Sequence, residues 1–211
     1  EPQMQVVCLD GGPIGTNTYL VADDNGRTVV IDPGVEADVI AAVCDERNWQ
    51  VVVLAATHGH FDHVCYAAQA KARWGVPYWM HSEAVALAVA SAEQAAWFGL
   101  ELANSPAPDN FLNPAEPFGV GHLNFEVRYV PGHSPGSVAL YIPGHVFAGD
   151  VLFSGSIGRT DLPGGDHDLL MQSIREQLMT LPDATVVWPG HGPATTIGEE
   201  RQNNPFREGW Q

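Results

Sequence analysis

The sequence predicts an α/β domain built around a buried central strand. Three observations predict it. Val51-Val52-Val53-Leu54-Ala55-Ala56-Thr57 is an apolar run without polar alternation, as a strand covered on both faces requires. Strand-like and helix-like segments alternate along the chain. Histidines and aspartates flanked by glycine recur where strands should end. With 211 residues, 45% of them hydrophobic, the chain can bury a full core, and residues 1–211 read as one domain with room for two sheets.

Gln5 to Leu9, Asn17 to Ala22 and Arg27 to Asp32 read as strands, with Asp24-Asn25-Gly26 as a hairpin turn. Asp32-Pro33-Gly34 stops the sheet, and Ala37 to Asn48 reads as a helix. After the Val51 to Thr57 strand, a helix runs from about Asp62 to Trp74 and closes at Gly75. Pro77 to His81 is a short strand, and Ser82-Glu83 opens an Ala-rich helix. The segment from Asn104 to Pro117, with four Pro and three Asn, is a loop long enough to be functional. Leu123, Phe125, Val127 and Tyr129 alternate with polar residues, the mark of a half-buried strand. Ser137 to Ile142 and His145 to Ala148 are further strands. Asp166 caps a helix whose Leu170, Ile174 and Leu178 share one face and which ends near Pro182. Ala184 to Trp188 is the last strand.

Formal net charge is -16, with only 9 Lys+Arg. Such a field repels phosphate backbones and anionic membrane surfaces, which argues against nucleic-acid and membrane partners. Three widely spaced cysteines, Cys8, Cys44 and Cys65, imply no disulfide framework and fit a reducing cytoplasm. Neither an 18-residue apolar run nor a signal-type segment is present.

The most informative stretch is His58-Gly59-His60-Phe61-Asp62-His63, four metal-capable side chains at the end of the buried strand. Three later positions share its chemistry beside glycine: His133 in Pro131-Gly132-His133, Asp150 in Gly149-Asp150, and His191 in Gly190-His191-Gly192. That makes five His and two Asp. One ion takes three or four protein groups, so seven donors suit two divalent ions that share a carboxylate. Mixed His/Asp sites accept Zn, Fe and Mn alike. His81, His122, His145 and His167 lack such a context and read as ordinary surface or hydrogen-bonded residues.

The order of these motifs resembles the metallo-β-lactamase superfamily. The run Gly149-Asp150-Val151-Leu152-Phe153 to Gly158-Arg159-Thr160-Asp161, with Pro189-Gly190-His191-Gly192-Pro193 and Asn204-Pro205-Phe206, is similar to a short bacterial subgroup of type II glyoxalases. The likeness spans Asn17-Thr18-Tyr19-Leu20 to Phe206. It implies an αββα sandwich of two mixed sheets flanked by helices. It also implies that His58, His60 and His133 hold one ion and Asp62, His63 and His191 the second. Asp150 and a hydroxide would bridge the ions, and the hydroxide rather than a protein side chain would attack. Asp32 resembles the family's first-motif Asp, supporting ligands from behind rather than binding metal. The reaction implied is hydrolysis of a thioester, glutathione-derived ones included, in which a thiolate departs without strong acid assistance.

A departure from the pattern is Cys65 and Tyr66 where small glycines usually stand, and residues 1–211 are expected to carry no C-terminal helical substrate domain. Arg159 stands near a glutathione-contacting Lys position and Asp161 near a Tyr. Arg159 is the candidate for binding a substrate carboxylate, with a structural Arg159–Asp161 pair as the other reading. The same motifs resemble persulfide dioxygenases, which would hold a single Fe(II) on His58, His133 and Asp150.

Overall fold

The computed structural model describes residues 3–211. Its first sheet has the order β1-β2-β3-β4-β5-β6, from β1 (Gln5–Leu9), β2 (Thr18–Ala22), β3 (Arg27–Ile31), β4 (Gln50–Ala55), β5 (Tyr78–Met80) and β6 (Asn110–Phe111). Strands β1 to β3 are antiparallel neighbours, and β3 to β6 run parallel. The chain then builds β7 (Phe118–Val120), β8 (Leu123–Tyr129), β9 (Val138–Ile142) and β10 (His145–Gly149). A ribbon of β11 (Leu152–Phe153) and β12 (Ser156–Ile157) precedes β13 (Val186–Pro189) and β14 (Thr195–Thr196). The second sheet has the order β14-β13-β10-β9-β8-β7 and is also mixed, since only β10 and β13 are parallel.

Alternation along the strands decides which layer each side chain joins. Tyr19, Val21, Val29 and Ile31 point between the sheets, where they meet Phe125, Val127, Leu140 and Phe147. Leu20, Val30 and Leu54 point outward, under α1 (Ala37–Arg47), α3 (Ala67–Trp74) and α4 (Val85–Val89). On the far side, Ala139, Val146 and Val187 are covered by α6 (His167–Ser173), its π-helical extension Ile174–Leu178, and α7 (Ile197–Asn203). The layers are therefore helix, sheet, sheet, helix. The strand read as buried on both faces, Val51 to Thr57, is so because its sheet is sandwiched, and only Val52 within it is partly exposed.

The helix expected from Asp62 to Trp74 is two helices, α2 (Phe61–Val64) and α3. Between them the Tyr66 backbone N–H donates to Pro33 O at 3.0 Å instead of continuing the helical ladder. The Ala-rich helix is likewise divided into a 3₁₀ turn (Ser82–Ala84), α4 and α5 (Ser91–Trp97). Asn104 Oδ1 accepts from Ala92 N, so the break is capped by a loop twelve residues downstream that no local pattern reveals. That loop also contains the two-residue edge strand β6. Asp166 caps α6 as expected, accepting from Leu169 N at 3.0 Å. No helix among the described residues is long and apolar enough to cross a membrane.

Candidate metal centre

Four strands of the two sheets, β4, β8, β10 and β13, end at one edge of the sandwich, and the chain leaving each carries donors. His58 and His60 follow β4, and Asp62 and His63 sit in the single turn of α2, for which His60 is the N-cap. His133 follows β8, Asp150 follows β10, and His191 follows β13. The sheets are joined at this edge by Val138 N donating to Thr57 O at 2.8 Å.

The donors fall into two groups, His58/His60/His133 and Asp62/His63/Asp150/His191, each with its ligand atoms within 4.8 Å of one another. The two groups meet at Asp150. Its Oδ2 lies 3.6 Å from His58 Nε2 and from His133 Nε2, 3.1 Å from His63 Nε2 and 3.3 Å from His191 Nε2. Asp62 Oδ2 lies 3.2 Å from His63 Nε2 and 3.1 Å from His191 Nε2. All seven residues expected as ligands are brought together, and all but His191 are buried.

Hydrogen bonds from behind fix which ring nitrogen faces inward. His133 Nδ1 donates to Arg159 O at 2.8 Å. Asp32 Oδ2 accepts from the Thr57 hydroxyl at 2.7 Å and from His63 Nδ1 at 2.9 Å, while Asp32 Oδ1 accepts from Thr57 N at 2.7 Å. The Thr57 oxygen in turn accepts from His58 Nδ1 at 3.0 Å. Nε2 of His58, His63 and His133 is thereby aimed at the centre. Asp32 supports the His63 ring directly and the His58 ring through Thr57, with φ of 57°, a left-handed conformation uncommon for a residue other than glycine. On the opposite side the Thr16 hydroxyl donates to Asp62 Oδ2 at 2.7 Å. Thr57 had a detectable signal, being a hydroxyl between the buried strand and His58. Thr16 had none, since it lies 46 positions from its partner.

The donors present fit divalent ions. His58 Nε2 and Asp150 Oδ1 are buried without a hydrogen-bond partner. Such groups are costly to bury unless something binds them. The strand-end glycines leave room for the carboxylate: a Cβ on Gly190 would sit 2.1 Å from Asp150 Oδ1 and 2.6 Å from His63 Cε1.

Two electrostatic classes of histidine result. Burial, reinforced by neighbouring imidazoles, pushes His60 down to about 2 and His133 down to about 4, so both are neutral and offer lone pairs. Burial also opposes charge on His63 and His191, but the carboxylates prevail. His63 is held well above the usual histidine range by Asp150, Asp62 and Asp32, and hydrogen bonds to Asp150 and Asp62 raise His191 to about 9. Conversely, burial would raise Asp62 and Asp150, yet the charge on His63 and hydrogen bonds from His191 and His63 hold both well below the ordinary carboxylate range. Without metal, then, protons on His63 and His191 balance the two carboxylates.

A cavity of about 310 Å³ opens beside the donors. Arg159 lines it, and its guanidinium is paired with Asp161 through Nε–Oδ1 at 2.6 Å and Nη2–Oδ2 at 2.9 Å. Cys65 and Tyr66 are not among its lining residues. Burial pushes the Cys65 thiol up to about 12, which makes it a small core side chain. Outside the centre, His122 is paired with Asp24 at the surface, His145 accepts from Trp188 Nε1, and His81 accepts from Glu83 N.

The family model for the metallo-beta-lactamase superfamily matches residues 11–191. The chain is 41% identical to the hydroxyacylglutathione hydrolase GloC of Haemophilus influenzae over 194 residues, covering 90% of this chain and 92% of that protein. Among solved structures, BLEG-1, described as a B3 metallo-beta-lactamase, superposes with a TM-score of 0.90 at 35% identity, covering 96% of this chain and 99% of that one. TTHA1623, solved in a di-iron-bound form, superposes with a TM-score of 0.87 at 39% identity, with the same coverage of the two chains.

Proposed function

We propose that this chain, which belongs to the metallo-β-lactamase superfamily and is a metal-dependent hydrolase, cleaves thioesters to a carboxylic acid and a thiol. In this reading His58, His60 and His133 hold one ion, Asp62, His63 and His191 a second, and Asp150 serves both. When bound, two such ions acidify a water and polarise a carbonyl.

The observation that carries the thioester reading is the lack of an acid. Outside the seven donors, the polar side chains lining the cavity are Gln94, Ser156 and Arg159. None can hand a proton to a leaving group near neutral pH, because a serine hydroxyl and an amide hold theirs too tightly and the Arg159 guanidinium stays ionised. The cavity therefore suits a leaving group that can depart as an anion without side-chain acid assistance. A thiolate, with a reference pKa of about 8.5, does so far more readily than an alkoxide or an amide nitrogen. The name of the GloC relative, a hydrolase of a glutathione thioester, supports the same chemistry.

The chain's own groups supply position. Asp32, Thr57 and Arg159 O lock the imidazoles in their inward tautomers, and Thr16 holds Asp62, so the donors need not reorganise as charge develops.

The test is metal analysis of the purified protein together with turnover of S-lactoylglutathione, a neutral N-acetylcysteamine thioester and glutathione persulfide, with dissolved oxygen monitored. Two ions per chain and thiol release without oxygen uptake are expected. A single iron, with oxygen consumed on a persulfide, would instead identify a dioxygenase.

A further inference from the structure

The cavity beside the donors is walled by large apolar side chains that the fold leaves uncovered. Ile14, Trp97 and Phe98 line it with 46%, 60% and 43% of their surface exposed, and Leu87, Phe153 and Leu162 extend the wall. Three of the eight large hydrophobic residues exposed among the described residues thus converge on one opening, the one beside the reaction centre. Scattered exposed hydrophobics need no explanation, but a convergent set around a cavity marks a binding surface.

The wall is built, not loose. Gln94, itself buried, bridges two neighbouring segments: its Oε1 accepts from Phe61 N at 3.2 Å and its Nε2 donates to Leu87 O at 2.9 Å. This ties α5, which ends at Trp97, to the α2 turn that bears Asp62 and His63. The Phe98 ring packs on Phe61 at a centroid distance of 5.2 Å. Phe98 is therefore packed in place relative to the donors, and Trp97 precedes it at the end of the anchored α5.

Charge points the same way. Arg159 is the only Lys or Arg among the described residues that line the cavity, and Asp161 already engages it through two hydrogen bonds. In a chain of net charge -16, an anionic substrate would find no free cation at this mouth apart from the ions themselves.

We infer that the preferred substrate is a neutral thioester bearing an aliphatic or aromatic group of several carbons beside the reacting bond, and that Trp97 and Phe98 select it. This rests on the thioester reading above. The apolar group takes the place of water on the exposed aromatic faces, and the gain grows with each carbon until the wall is covered.

The test uses the metal-loaded protein and two readouts. The first is kcat/KM for acetyl, butyryl, hexanoyl and octanoyl thioesters of N-acetylcysteamine, beside S-lactoylglutathione. The second is calorimetric binding of the matching non-hydrolysable ketones, in which a methylene replaces the thioester sulfur. Both should rise about two- to fourfold per methylene from acetyl to hexanoyl. Trp97→Ala, at a position 60% exposed, should flatten the rise and cost about tenfold on hexanoyl, more than it costs on acetyl. A flat chain-length series, or a preference for the glutathione thioester over every neutral one, overturns the inference. So does a Trp97→Ala protein that changes its oligomeric state but not its chain-length dependence, which would make the patch an interface between copies. Chain-length-dependent ketone binding with no turnover of any thioester would uphold the apolar subsite and overturn thioester hydrolysis.

Discussion

Asp32 and His63 form the buried pair on which the centre is hung: Asp32 Oδ2 lies 2.9 Å from His63 Nδ1, on the opposite side of the ring from Asp150. Because Asp32 also takes both the N–H and the hydroxyl of Thr57, one carboxylate orients His63 directly and His58 through Thr57. Asp32→Ala should therefore lower metal affinity by about 10–100-fold while leaving all seven donors in place. Competition against a chromophoric chelator measures this. Unchanged affinity would reduce Asp32 to a part of the scaffold.

Asp150 belongs to one donor group and lies 3.6 Å from His58 and His133 of the other, so it is placed to serve both. Asp150→Asn keeps the shape but removes the charge that balances two cations, so metal content and activity should fall together. Asp161→Asn, in an exposed residue paired with Arg159 and outside both donor groups, should leave metal content at the wild-type value. Two ions and near-full rate in Asp150→Asn would falsify the shared role.

Metal uptake should be coupled to proton release. His63 and His191 sit above the ordinary histidine range, His191 at about 9, so both carry protons at neutral pH in the metal-free protein. A metal requires them neutral. Apparent affinity should climb with pH through neutrality and level off above about 9. The sign for stability follows from the same shift. A raised histidine stabilises the metal-free fold fully below its unfolded value of 6.5, and that contribution is lost as pH rises through about 9. Metal-free protein should thus lose melting temperature between those limits, and loaded protein should not. Zinc titrations in buffers of different ionisation enthalpy, with melting curves at each pH, check both halves.

Arg159 was a candidate carboxylate binder in the sequence, and it lies at the cavity with Asp161 across its fork. If that pair is its main engagement, Arg159→Ala should change kcat/KM by less than about threefold, and equally on charged and neutral thioesters, as expected of an exposed ion pair. A rise in KM confined to the charged substrate, with kcat unchanged, would restore the capture role.

Much of this protein was legible in order along the chain. The apolar strand ending at His58-Gly59-His60-Phe61-Asp62-His63, and glycines beside His133, Asp150 and His191, are local patterns, since strand burial and tight turns at strand ends write themselves into neighbouring residues. The αββα layering followed from the family likeness, and the alternation of Tyr19 and Val21 against Leu20 shows its physical basis. What only the tertiary structure decided depends on distant partners. The break between α2 and α3 comes from Tyr66 bonding Pro33, and the break before α5 from Asn104 capping Ala92. The hold of Thr16 on Asp62 and the convergence of Ile14 with Trp97 and Phe98 join segments separated by 46 or more positions. A hydrogen bond or an apolar contact costs the sequence only one compatible residue at each end, so such long-range pairs leave no periodic trace until the chain has folded.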